Sequence, residues 1–177
     1  MPRYNGLRIY IEIIRGTPFL VQLFLLYSGG PFIGLRLEAT TAGILGLGLY
    51  SSAYFAEAFR AGFSAVPRGQ IEAATSIGMN SLDILLRISL PTMLVATLPS
   101  IVNLLIMLSK ETVILSIITV PELMYQMQTM AAETFTAFTA IFAMAVFYWL
   151  LVETVSRLGY RLERRVTAFM APAARAS

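Results

Sequence analysis

GQIEAATSIGMNSLDILLRISLP, residues 69–91, sets charge, glycine and small side chains between two apolar segments. Pro67 and Gly69 punctuate its start, and QIEAAT holds good helix formers. Gly78 allows a sharp turn, after which Asn80 and Ser81 can cap a second helix with Asp83 in its first turn. Leu82, Leu85, Leu86 and Ser89 recur at helical spacing beside Ile84 and Ile88, so that helix has a broad apolar face. Pro91 ends it or bends it. Two short helices around Gly78 are therefore expected. Ala73 and Ala74 lack bulk, so another protein's surface can approach the backbone, and Glu72 offers a carboxylate to an arginine or to backbone amides. Docking is one reading of this stretch; a solvated loop is the other.

The rest of the chain places this stretch beside a membrane. Of 177 residues, 57% are hydrophobic and 13% charged, against about 25% charged in soluble domains. The mean hydropathy is +0.73. The chain has no cysteine and no histidine, which excludes thiol nucleophiles, disulfides, histidine acid–base work and His or Cys metal sites within it. A helix needs about 20 apolar residues to cross the hydrocarbon core. Four stretches approach that length: 18–34, extended backward by IYIEII, then 39–59, 90–108 and 137–155. TVILSIITV, residues 112–120, is too short to cross alone and reads as a helix continuation, a re-entrant turn or an interfacial segment. The opening residues lack the ordered regions of a cleavable signal peptide.

Of the 13 Lys and Arg, all but Arg36 and Lys110 fall before the first stretch, between the second and third, or after the fourth. By the positive-inside rule, the termini and the 60–89 loop are expected to be cytoplasmic. The net charge of +3 is thus read as membrane anchoring, and nucleic acid is not implied. Residues 1–166 form one expected membrane domain and 167–177 an expected disordered cytoplasmic tail.

Glu72-Ala73-Ala74, three residues, Gly78, and Ile88-x-Leu90-Pro91 together resemble the EAA signature of the membrane subunits of ATP-binding-cassette (ABC) importers. RGTPFLVQLFLLY at 15–27, AYFAEAFRAGFSAVPRGQIEAA at 53–74, LPSIVNLLIMLSKET at 98–112 and VPEL at 120–123 are similar to permeases for polar amino acids and relatives such as opines. The resemblance spans roughly residues 4–165. It implies an all-α integral membrane protein of the type I importer transmembrane fold, in a bacterial inner membrane. It assigns Gln70, Glu72, Ala73, Ala74, Gly78, Asp83 and Pro91 to a coupling helix and its flanks, seated in a groove of a cytoplasmic ATPase. The implied partners are two ATPases, a second permease, identical or paralogous, an external solute-binding protein and the lipid bilayer. ATP chemistry would belong to the partner. This chain has no GxxxxGK[ST] phosphate loop and is expected to be neither an enzyme nor a holder of cofactor or metal. Family members usually carry a further transmembrane helix before the RGTP segment, so this chain is expected to hold about four crossings of the usual five.

Ionisable residues at membrane depth face a cavity or a partner by default. Glu57, Lys110 and Glu111 qualify, and Ser100, Asn103, Met107 and Lys110 fall on one helical face. They read either as a translocation wall or as an interhelical seam. The family pattern resembles Lys-Asp/Glu-Thr-Ser at this point, and Val113 stands where serine is usual. Gly48, Ser52 and Ala56 repeat at every fourth position, a spacing for close helix packing, on a neighbour in the same chain or in a second permease. Tyr50, Tyr54 and Glu57 adjoin that face and could instead line the path. The methionines of 124–130 read as adaptable packing rather than a metal site. A non-transporting membrane scaffold and a membrane-embedded enzyme are the alternative functions.

Overall fold

The computed structural model describes residues 5–170, with side chains over 6–166. All its regular elements are helical among the described residues. The expectation for 167–177 falls on side chains outside them, although the last helix carries the backbone to Met170.

Helix α1 covers Asn5–Gly16 and α2 covers Phe19–Phe24. Thr17 and Pro18 separate them, and the two helical runs meet at 107°. Proline removes a donor and disfavours helical backbone in the residue before it, so the run cannot continue straight through Pro18. The expected backward extension of the first crossing through IYIEII is therefore sharply bent rather than straight. Helix α2 widens into a π turn over Leu25–Gly29 and then tightens into a 3-10 turn over Gly30–Ile33.

Helix α3 covers Ala39–Ser64 and α4 covers Arg68–Ser76. Helix α5, Ser81–Ile84, passes through a second π turn, Leu85–Ser89, into α6, Leu90–Glu111. A proline clashes with the carbonyl four residues back, so the widened turn ahead of Pro91 lets the helix carry on through it. Pro91 therefore does not end the helix. Residues 112–118 continue as a 3-10 helix to Thr119, which settles TVILSIITV as a continuation. Helices α7, Leu123–Thr134, and α8, Ala137–Met170, complete the chain.

Among the described residues, two helical stretches are long and apolar enough to cross a membrane, Ser81–Ile118 and Ala137–Val166. The bent pair Gly6–Gly16 and Phe19–Ile33 makes a third only if counted as one span. Helix α3 has the length, 26 residues, but is not among them. Its Gly43, Gly46, Gly48, Ser51, Ser52, Tyr50 and Tyr54 dilute its apolarity. Apolarity and length by themselves thus mark two or three of the four expected crossings.

The chain divides into two compact units. The first joins the residues up to Tyr54 to Leu105–Thr154; the second joins Phe55–Leu104 to the residues from Val155 onward. In the first, Phe19, Leu23, Ala42, Tyr50, Leu115, Ile118 and Val120 form a buried cluster. Tyr50 packs its ring 4.9 Å from Phe19 and 4.8 Å from Tyr54. Tyr10 of α1 ties to α3, its hydroxyl donating to the Leu49 carbonyl at 2.7 Å and lying 2.7 Å from Ser52 Oγ.

In the second unit two glycines permit close helix contact. A methyl group at Gly62 would collide with the Thr97 hydroxyl and stand 3.0 Å from Met93 Cγ. One at Gly159 would stand 2.5 Å from Val102 Cγ1. Gly48, Ser52 and Ala56 are exposed within this chain, where Ser52 meets Tyr10 of α1 and a methyl at Gly48 would meet nothing within 4 Å, so packing by the whole repeat would fall to a second permease. Sequence spacing identifies a smooth helix face but cannot tell which face meets a neighbour.

Candidate functional site

The 69–91 stretch folds as two short helices around Gly78, as expected. Pro67 precedes α4 in extended backbone, a position where its fixed φ suits a helix start. At the other end, Gly78 takes φ +79. Its amide donates to the Thr75 carbonyl at 3.0 Å, and the Met79 amide donates to the Ala74 carbonyl at 3.1 Å. This pair of bonds is a Schellman closure, which favours glycine because a side chain crowds the left-handed backbone. Gly78→Ala is expected to cost about 1 kcal/mol, read as a lower thermal midpoint in detergent and faster proteolysis near residue 78. Gly78→Asn should lose less, since asparagine tolerates that conformation.

Asn80 begins the second helix. Its Oδ1 accepts from the Asp83 amide at 2.9 Å while its Nδ2 donates to Asp83 Oδ2 at 2.7 Å. Asp83 in turn pairs with Arg87 at 3.2 Å. Asp83 therefore braces the capping Asn80 and pairs with Arg87 within its own helix. Helix α4 packs against α5 and the π turn that follows it.

The two alanines divide. Ala73 is exposed, but Ala74 is only 3% exposed. The expectation that both present an outward surface is corrected for Ala74, whose small side chain lets α4 close on its own chain. Outward remain Gln70, Glu72 and Ala73, and around the turn the apolar Ile77, 78% exposed, and Leu82, 64% exposed. Leu86 is also exposed. Charged and polar groups beside large uncovered aliphatic side chains form a surface suited to a partner.

The other predicted residues separate. Glu57 takes a two-pronged grip on Arg60, at 2.9 Å from Nε and 2.6 Å from Nη2. The sequence reading missed Arg60 here, although the spacing of three is a recognisable helix pair. Ser100, Asn103 and Lys110 are exposed on α6, and Glu111 is half-buried. Met107 packs against the apolar cluster of the first unit, so its place in a polar wall is corrected. Tyr50 likewise is buried in that cluster rather than lining a path. Glu122, within the VPEL segment, caps α7 by accepting from the Tyr125 amide at 2.8 Å. Its signal was the proline before it and the apolar helix after it. No cluster of potential metal ligands occurs among the described residues.

Residues 2–168 match the family described as binding-protein-dependent transport system inner membrane component. The chain belongs to this family. It is a membrane permease subunit of the ABC importer type. Among its relatives is the "Probable amino-acid ABC transporter permease protein YckA" of Bacillus subtilis, 35% identical over 163 residues, covering 92% of this chain and 72% of YckA. The "Probable amino-acid ABC transporter permease protein PatM" of Vibrio harveyi is 38% identical, covering 85% of this chain and 69% of PatM. Among solved structures, the crystal structure of an amino acid ABC transporter with histidines superposes with a TM-score of 0.84 at 39% identity. That match covers 89% of this permease and 74% of the solved chain. Both the fold of the permease and its class thus stand on sequence and shape together.

Proposed function

We propose that this permease carries polar amino acids or related solutes such as opines across the bacterial inner membrane, driven by a partner ATPase seated on residues 69–90. The exposure of Glu72 with Ile77 and Leu82 around the Gly78 turn carries this reading. Among the described residues nothing covers that apolar surface, and a soluble partner with a complementary groove would. Gln70, Glu72 and Ala73 present the contact, while Ala74, Gly78 and Asp83 set its shape. Helical backbone runs without interruption from Ser81 to Ile118. A displacement of the docking surface can therefore be passed through Pro91 into α6. Ser100, Asn103, Lys110 and Glu111 on that helix, with Glu57, are the proposed path residues.

The working assembly would hold two permeases, two ATPases and an external solute-binding protein, with the docking surface and C-terminus on the cytoplasmic side. Relatives that are amino-acid permeases support the solute class. Reconstitution with the ATPase and binding protein tests the reading. Solute-stimulated ATP turnover and uptake are expected; an assembled complex whose turnover ignores every polar amino acid and opine offered would overturn it in favour of a scaffold.

A further inference from the structure

Helix α1 is the element that neither the transport reading nor the buried cores fully use. Projected down its axis, its residues divide cleanly. Arg8, Glu12 and Arg15 share one arc; Leu7, Ile9, Ile11, Ile13, Ile14 and Tyr10 fill the rest. The chain satisfies only part of this apolar arc. Tyr10 bonds to α3, and Ile14 packs on the buried cluster of the first unit. Leu7, Ile9 and Ile13 stay exposed at 64%, 54% and 58%.

The bend decides what kind of surface can cover them. At 107° to the run that starts at Phe19, α1 lies nearly across that run's direction, the relation a helix in the membrane plane has to one that crosses. Its orientation about its own axis fits that plane. Ile13 and Ile14 open onto a groove of about 400 Å³ lined with Val21, Leu25, Leu26 and Leu49, so the apolar arc turns toward the membrane-crossing side chains. The polar groups of that groove are already engaged, since Gln22 Nε2 donates to the Ile14 carbonyl at 2.7 Å and lies 2.8 Å from Thr17 Oγ1. Arg8 and Glu12 pair at 2.9 Å on the other arc, 80% and 62% exposed. Arg15 lies 5.4 Å from the centre of the Tyr54 ring.

We propose that α1 is an in-plane anchor whose occupant is the lipid surface itself. Its aliphatic arc sinks to the acyl boundary, an acyl chain fills the groove beside Ile13, and Arg8 and Arg15 face anionic headgroups. A helix with a strong apolar face, low net hydrophobicity and arginines opposite is the form that lies in a bilayer interface. Arginine stems can also cover apolar surface while their guanidinium groups reach the headgroups.

The test uses the assembled transporter in proteoliposomes. Trp149, the one tryptophan of the chain, is exchanged for phenylalanine, and single tryptophans are introduced as Ile13→Trp and Glu12→Trp. Acyl-brominated phosphatidylcholine should remove most of the Ile13→Trp emission and little of the Glu12→Trp emission. Aqueous iodide should do the reverse, and more phosphatidylglycerol should blue-shift the Ile13→Trp spectrum unless Arg8 and Arg15 are both made glutamine. Equal quenching of the two probes by bromolipid would overturn the in-plane orientation. Protection of the Ile13→Trp probe from both quenchers would overturn the lipid assignment, because a protein surface, such as a second permease, would then cover the arc.

Discussion

Solute uptake is expected to fall to background when Glu72 is replaced by lysine, while the chain still enters the membrane and unfolds at the wild-type temperature. Glu72 is exposed on α4, and surface substitutions of that kind change stability by only about 0.5 kcal/mol. The loss would therefore lie in the partner. Breaking a desolvated charge pair across an interface costs about 2–5 kcal/mol, or roughly 30-fold or more in affinity, and a lysine adds repulsion where the ATPase offers a cation. Glu72→Gln, which keeps hydrogen bonding and shape, should fall between wild type and Glu72→Lys. Uptake, ATP turnover and ATPase retention measured on the same preparation separate lost docking from lost coupling. Wild-type transport in the Glu72→Lys variant would sink the assignment of α4.

Gly62→Ala should do its damage inside the chain. The added methyl would overlap the Thr97 hydroxyl, on a side chain only 2% exposed. That hydroxyl cannot simply rotate away, because it donates to the Met93 carbonyl at 2.7 Å. Overpacking of this kind costs about 1–3 kcal/mol, so the thermal midpoint in detergent should drop by several degrees and the monodisperse yield should fall. Thr97→Ala removes the atom that is struck, and the double variant should recover part of the loss, a non-additivity expected only between groups in contact. Gly159→Ala should be similarly harmful through Val102. Gly48→Ala is the control: nothing stands within 4 Å of its added methyl, and alanine is a better helix former by about 1 kcal/mol. A midpoint as low for Gly48→Ala as for Gly62→Ala would show that the close contacts had been misplaced.

The expected two helices around Gly78 are present because their causes are local. A glycine after a helical run, an Asn-Ser-x-Asp sequence after that glycine, and a proline before the first helix each act within four residues. Helix α8 was equally readable, since an apolar run of that length has few other structures open to it. The misreadings share a different cause. Met107 and Tyr50 were placed by counting along a helix, and counting gives a face without naming its neighbour. The face of Gly48, Ser52 and Ala56 likewise has a spacing that names no neighbour, in this chain or in a second permease. The 107° break at Thr17-Pro18 was signalled by the proline, but the apolar residues on both sides concealed it.

The chain read alone already carried the chemistry available and the local helix punctuation: no histidine or cysteine, arginines gathered before, between and after the apolar stretches, and a glycine and a capping asparagine that shape the 69–91 stretch. Those features depend on residue type and on neighbours within a turn. It took the packed fold to turn Ala74 inward while Ala73 and Glu72 turn out, to bring neighbours within the chain against Gly62 and Gly159, and to set α1 across the direction of the helix that follows it. Each of those outcomes depends on contacts between residues far apart in the chain, where packing volume selects one helix face among several that the sequence leaves equally apolar.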